Sequence, residues 1–341
     1  MPASVPNCGI DNRLLGYEER LIMHARFVVW MISIAVMVLG VGAVHGQNYP
    51  NKPIRIVTSE IGGSSDFMAR VIAQGISGPL GQPVITDNRG GGVIPGEIVA
   101  KASPDGYTLL FIGSSFWLLP LMRDKVPYDP VRDFSPITLA SNQPNVLVVH
   151  PSVAAKSVRE LISLAKDSTG VLNYGSGGAG TSAHLAAELF KSMAGVNIMR
   201  IPYKGQGPAI NDLLGGRLQL IFASAPVAAY VKAGRLRALA VTSAQPTALF
   251  PELPTVAAAG LPGYESAQLA GIFASAKVPA RIINRLSQEA ARFLRTAEAK
   301  QAFLNSGIEA VGSSPEEFAA KIKSEMARLG KLIKDVGIRD E

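Results

Sequence analysis

The chain has 341 residues, 48% of them hydrophobic and 17% charged. That is about two domains' worth of sequence with a sizeable core, and it excludes a disordered or coiled-coil protein. Its one cysteine, Cys8, excludes a disulfide framework and a cysteine metal cluster. The net charge of +7 favours anionic partners, but the basic residues are dispersed and aromatics are only 6%, which argues against nucleic acid.

In chain order, Phe27 to Val44 is an apolar run preceded by His24 and Arg26 and followed by His45-Gly46. This is the pattern of an export signal cut before Gln47, with Met23 where such a signal begins and residues 1–22 as an over-long start. An uncleaved anchor is the other reading, since the run is just long enough to span a bilayer. Lys52 to Val57 then reads as a strand, Ile61 to Ser65 as a turn, and Asp66 to Ile76 as a helix with Phe67, Val71 and Ile72 at helical spacing. Further strands are expected at Pro83–Thr86, Tyr107–Ile112, Asn145–Val149, Leu218–Phe222 and Leu236–Val241. Helices are expected at Val158–Ala165, Thr181–Ala194 and Ala209–Leu214, and the last 60 or so residues are mostly helical. Ser314-Pro315-Glu316-Glu317 carries a capping-box pattern with Pro at the first helical position. The alternation of strands and helices predicts an α/β protein with largely parallel sheets.

Two glycine-rich turns stand between a strand and a helix start. They are Gly62-Gly63-Ser64-Ser65-Asp66 and Gly175-Ser176-Gly177-Gly178-Ala179-Gly180-Thr181-Ser182. Unpaired N–H groups at such turns favour an anion, although a plain capped turn has the same composition. The second turn contains G-x-G-x-x-G, but no acid lies between Glu188 and Asp212 to hold a ribose, which argues against a dinucleotide. Arg200 could be offered for a phosphorylated ribose, but alone it does not make the case. No serine sits in G-x-S-x-G, and no phosphate-loop Gly-Lys-Ser/Thr is present. Beyond the leader only His150 and His184 remain, too few for a metal cluster. No cofactor is implied. His184 is placed either for ligand contact or for a capping hydrogen bond. Phe116 and Trp117 are either core or an aromatic wall over a pocket.

Two anion-type turns in an exported basic chain without catalytic groups point to a ligand-binding cleft rather than an enzyme. The chain resembles the Bordetella uptake gene (Bug) type of extracytoplasmic solute receptor, the binding component of tripartite tricarboxylate transporters. The likeness runs from Tyr49 to about Gly337, through YPNKPIRIV at 49–57, GGSSDFMAR at 62–70, LGQPVITDNRGGG at 80–92 and SPDGYTLL at 103–110. It continues through VPYDPVRDFSPITL at 126–139, NVLVVHPS at 145–152, YGSGGAGTSAHLAAELFKSMAGV at 174–196 and IPYKGQGPAINDLLGG at 201–216. GRLRALAVTS at 234–243 and LPTVAAAGLPGY at 253–264 complete it.

The resemblance implies a type 2 periplasmic-binding-protein fold, with two α/β lobes, two crossing segments and a cleft between the lobes. It implies a periplasmic monomer that binds a small carboxylate without chemistry and delivers it to membrane transport subunits. An orphan receptor reporting to a membrane sensor is the alternative. The implied ligand contacts in the first lobe are Gly62, Gly63, Ser64 and Asp66, with Ser114 and Ser115. In the second lobe they are Ser176, Gly177, Gly180, Thr181 and Ser182, with Tyr203 and Lys204. Asn145–His150 and Leu269–Ala274 are expected as the crossings, giving lobes of 47–145 plus 271–341 and of 146–270. The sequence departs from the family where relatives carry Pro-aromatic-small-Ala before the first Gly-Gly. Thr58, Ser59, Glu60 and Ile61 stand there instead, and Ala223 replaces an Asp frequent in relatives. A carboxylate at Glu60 should then either face solvent or meet a cationic or hydroxyl group of the ligand.

Overall fold

A computed structural model describes residues 49–90, 92–167 and 171–339. The apolar run 27–44, the cleavage point before Gln47 and Cys8 lie outside the described residues. The first part of the chain builds β1 (Ile54–Thr58), α1 (Ser64–Leu80), β2 (Val84–Asn88), α2 (Ile94–Ala100), β3 (Thr108–Gly113), α3 (Ser115–Met122) and β4 (Phe134–Pro144). A middle part follows with β5 (Val146–Val149), α4 (Val158–Asp167), β6 (Asn173–Ser176), α5 (Ser182–Ala194), β7 (Met199–Pro202), α6 (Gln206–Leu214), β8 (Leu220–Ala223), α7 (Ala228–Lys232), β9 (Arg237–Val241) and α8 (Val256–Ala259). The chain ends with β10 (Ala267–Ser275), α9 (Ala280–Leu294), α10 (Ala297–Asn305), β11 (Glu309–Ala310) and α11 (Pro315–Val336).

The strands form two sheets, ordered β11-β4-β10-β3-β1-β2 and β7-β6-β8-β5-β9. Each is the centre of an α/β lobe. Short runs of buried aliphatics, such as Val146–Val149 with all four residues buried, mark strands covered on both faces. The chain leaves the first sheet at Pro144, enters the second at Val146, and returns between Val241 and Ala267. The segments expected as crossings are therefore largely strands. Val146–Val149 is β5, and Leu269–Ala274 lies within β10, all of which pairs in the first sheet.

Largely parallel sheets are not what forms. β1 pairs in parallel with β2 and β3, and β6 with β7 and β8. By contrast β10 is antiparallel to β3 and β4, and β5 is antiparallel to β8 and β9. A parallel neighbour needs a crossover that returns the chain to the same end of the sheet. β5 and β10 instead enter their sheets from the other lobe, at the end where the βα strands finish. The carboxyl ends of β1, β3, β6 and β8 consequently gather beside the two passages, where α/β sheets bind ligands.

The passages are tied to each other. The Asn145 N–H donates to Thr242 Oγ1 (2.8 Å), the Thr242 N–H donates to the Asn145 carbonyl (2.9 Å), and the Ser266 N–H donates to the Thr242 carbonyl (2.8 Å). α11 begins with the expected capping box: Glu317 N–H donates to Ser314 Oγ, and Ser314 N–H to the Glu317 carboxylate. Phe116 and Trp117 are core, not a pocket wall. Phe116 stacks on Tyr128 and Trp117 packs edge-on against Phe318, both pairs fully interior.

Candidate functional site

Three helix starts meet beside the passages. α1 begins after Gly63, α5 after Thr181 and α6 after Gly205, and none of the three has a side-chain cap hydrogen bond. The first-turn N–H groups of each lack intrahelical acceptors and form the positive end of the helix dipole. They open on one cleft of about 540 Å³. Ser64 lines it from α1. Gly177, Gly178, Thr181, Ser182 and Ala183 line it from the second glycine turn, and Tyr203 to Gln206 from the start of α6. Gln143, Asn145, Gln268 and Ser224 complete the lining. A second chamber of about 270 Å³ shares Thr181, Ser182 and Gln268 with it and adds Ser114, Ser115 and Gly180, together with Leu118, Leu185 and Leu329.

Around the first turn, Asp66 is buried and serves the protein rather than the cleft. Its carboxylate accepts from the Gly62 N–H (2.9 Å), from Asn88 Nδ2 (2.9 Å) and from Arg70 Nε (2.7 Å). Burial alone would raise its pKa. The Gly62 N–H, the Asn88 amide and the Arg70 charge more than offset this and hold the carboxyl below its ordinary value. The expected ligand contacts Gly62 and Asp66 are hydrogen-bonded to each other, and neither is among the residues that line the two chambers. Gly62 has φ +83°, which suits only glycine, and it lets the loop fold back on Asp66. Gly63 does not line either chamber but supplies the uncapped start of α1. Glu60 is exposed, and the cleft lining contains no carboxylate.

The second turn is clamped from behind by Arg200 on β7. Its Nε donates to Ser176 Oγ and its Nη2 to the Gly177 carbonyl, both at 2.8 Å. Ser176, also expected as a ligand contact, is fully buried and supports the turn through Arg200. Thr181 Oγ1 donates to the Gly178 carbonyl (2.9 Å), and the Gly180 N–H donates to His184 Nδ1 (3.1 Å). The second of these ties His184 to the turn that precedes α5, with Nδ1 as acceptor. Burial, with the Arg200 charge adding, pushes its imidazole down to about 4, so the ring is neutral. Gly180, at φ +74°, approaches Met122 of α3 so closely that a Cβ would lie 2.6 Å from the sulfur.

On the third start, Tyr203 lines the cleft, its side chain packs against the core of the second sheet, and its hydroxyl donates to Asp212 (2.8 Å). Lys204 is exposed and is the one residue of the cleft lining with a formal charge. Gln206 accepts from the Ser224 N–H (3.2 Å) and hydroxyl (2.6 Å) and donates to the Phe222 carbonyl (3.2 Å), bracing α6 on β8 next to Ala223. Sequence reasoning did not single out Gln143, Asn145, Gln206, Ser224 or Gln268. The available signal was the polar Asn-Gln-Pro-Asn run at 142–145 between two apolar strands.

Two α/β lobes with a polar, anion-favouring cleft at their junction define a solute-binding protein. Residues 68–338 match the family described as "Tripartite tricarboxylate transporter family receptor", and the chain belongs to that family. It is similar to protein BugT of Bordetella pertussis, 35% identical over 325 residues, covering 93% of this chain and 99% of the relative. Among solved structures it is similar to R. palustris Rpa4515 with adipate, at 35% identity and a TM-score of 0.69, covering 85% of this chain and 99% of that one. It is also similar to MatC (Rpa3494) from Rhodopseudomonas palustris with bound malate, at 25% identity and a TM-score of 0.64, covering 84% of this chain and 100% of that one. The family is one of solute-binding receptors and not of enzymes.

Proposed function

We propose that this receptor captures a small di- or tricarboxylate between its lobes in the periplasm and delivers it to the membrane subunits of a tripartite transporter. The observation that carries the reading is the convergence of three uncapped helix starts on one cleft whose only formally charged lining residue is Lys204. Carboxylates would sit on the first-turn N–H groups of α1 on one side and of α5 and α6 on the other, with Ser64, Thr181 and Ser182 beside them. The residues before Asn145 together with β10 onward form one proposed lobe, and the residues from β5 to β9 the other. Ligand contacts on both lobes favour the closed arrangement through differential affinity. A micromolar complex, about −8 kcal/mol, is within reach of a few charge-assisted hydrogen bonds of about 1.5–3 kcal/mol each after ordering costs. The relatives bound to adipate and malate support a carboxylate cargo.

The test is a thermal-shift screen of the purified protein against mono-, di- and tricarboxylates, amino acids and neutral diols. A ligand at about 100 times its Kd adds about 2.7 kcal/mol and raises the melting temperature visibly. Stabilisation by di- or tricarboxylates alone supports the reading. Stabilisation by amino acids or diols and by no carboxylate overturns it.

A further inference from the structure

Basic residues that are dispersed along the sequence are gathered by the fold on one helix of the first sheet. α9 and its two ends carry Lys277, Arg281, Arg285, Arg292 and Arg295, all exposed, against a single acid, Glu289, which is buried. The arginines stand at i, i+4, i+11 and i+14, which places them on one stripe of the helix, about 20 Å long. Several are fixed in position. Glu289 is held between Arg285 (3.1 Å) and Arg292, Arg285 donates to the Pro79 carbonyl (3.1 Å), and Arg295 donates to the Gly312 carbonyl (2.7 Å). Arg285 and Arg292 still keep 47% and 65% of their side chains in solvent. Lys277 and Arg281 make no ion pair among the described residues.

Two features separate this stripe from an ordinary solvated helix face. First, the start of α9 runs against its own dipole. Pro279 supplies no side-chain cap, the first turn holds no acid, and Lys277 and Arg281 put two cations at the positive end. Arg285 also precedes Glu289 by four residues, the poorer order for a helical ion pair. α11 follows the favourable pattern, with a capping box and with Glu316 and Glu317 in its first turn. Local choices that cost helix stability point to a surface kept for another reason. Second, none of the exposed large apolar side chains of the described residues lies between 277 and 295. A protein interface is centred on apolar and aromatic anchors with charge at its rim, so arginines without an anchor suit a flat anionic surface instead. The guanidinium fork matches phosphate through two parallel hydrogen bonds. A receptor of a membrane transporter works beside a surface of phosphates.

We propose that the arginine stripe of α9 docks the receptor on anionic phospholipid headgroups of the membrane that holds its transporter. A basic stripe with no apolar insertion gives a weak attachment that salt reverses, which leaves the receptor free to come and go. The proposal does not depend on what the cleft binds.

It is tested by flotation of the protein, purified from the periplasm, with vesicles of phosphatidylcholine alone and of equimolar phosphatidylcholine and phosphatidylglycerol. Binding to the anionic vesicles in excess of the neutral ones, falling as salt rises, is expected. Each basic residue at such a surface is worth about fivefold, so Lys277→Gln combined with Arg281→Gln should weaken the binding by roughly tenfold or more. Neither side chain is part of an ion pair, and the melting temperature of this variant should hold. Lys156→Gln combined with Lys232→Gln removes the same charge from exposed positions around the second sheet and should leave the binding unchanged. An equal loss in that control, or native binding by the stripe variant, overturns the assignment. Equal binding of the native protein to the two kinds of vesicle also overturns it, and would leave the stripe to an acidic protein surface.

Discussion

Replacing Arg200 with methionine keeps the aliphatic stem and removes both hydrogen bonds that clamp the second glycine turn. Ser176 Oγ retains its bond to the Gly177 carbonyl at 3.2 Å, so it is not orphaned, but the carbonyl loses its charged donor. Hydrogen bonds from a charged donor contribute about 1.5–3 kcal/mol each. Arg200 is only half-buried, and water recovers part of that, leaving a loss of about 2 kcal/mol. At about 2–4 °C per kcal/mol for a chain of this size, the melting temperature should fall by about 4–8 °C. The backbone at 177–178 lines the cleft, so its loosening should also weaken carboxylate binding by roughly tenfold, about 1.4 kcal/mol. Arg200→Lys supplies a point charge without the two-pronged fork and should fall between the two. Differential scanning fluorimetry and calorimetry read the two effects separately. An Arg200→Met protein with unchanged stability and unchanged affinity would show that the turn needs no clamp.

Thr181 lines both chambers and its hydroxyl bonds to Gly178, and Thr181→Ala should weaken binding roughly tenfold by calorimetry. Gly180→Ala places a Cβ at φ +74° and against Met122, and should cost about 1–3 kcal/mol in denaturant titration. His184 titrates at about 4 when folded and near 6.5 when unfolded, so the unfolded chain binds the extra proton between those values. Stability from this group is present above about pH 6.5 and is lost as pH falls toward 4, by up to about 3 kcal/mol; His184→Gln should flatten that limb of a pH-stability curve. Glu325 on α11 has the opposite sign. Burial first, eased by Arg328, Lys321 and the Trp117 Nε1 donor, raises its carboxyl to about 7, so its contribution is present at pH 4 and lost as pH rises through 7. Glu325→Gln should therefore stabilise the protein more at pH 8 than at pH 5, as read by paired denaturant titrations.

Sequence reasoning located strands that are short and mostly apolar, such as β3 and β5, but it read the apolar run Leu269–Ala274 of β10 as a crossing. β4 escaped because Phe134–Pro144 mixes Ser, Asn, Gln and Pro with its buried residues, a consequence of its running out to the cleft floor. α3, Ser115–Met122, has apolar residues all round and a proline inside, so it shows no helical stripe. The capping box of α11 was legible because it is local, four residues with one geometry. The same locality explains the site. Both glycine turns could be read as anion-type helix starts, since Gly allows the positive-φ backbone that such turns use. That the Gly62 N–H and the Ser176 hydroxyl are occupied internally depends on Asp66 folding back and on Arg200 from another strand. Gln143, Asn145 and Gln268 converge only because β4 and β10 pair, a contact between residues more than a hundred positions apart in sequence.

In the proposed complex, carboxylates sit on the uncapped helix starts of the two lobes. A crystal structure of the protein grown with saturating malate tests it most directly. Electron density is expected in the interlobe cleft, with one carboxylate at hydrogen-bonding distance from the first-turn N–H groups of α1 and the other from those of α5 or α6. Malate bound outside this cleft, or held in it with neither carboxylate on a helix start, would contradict it.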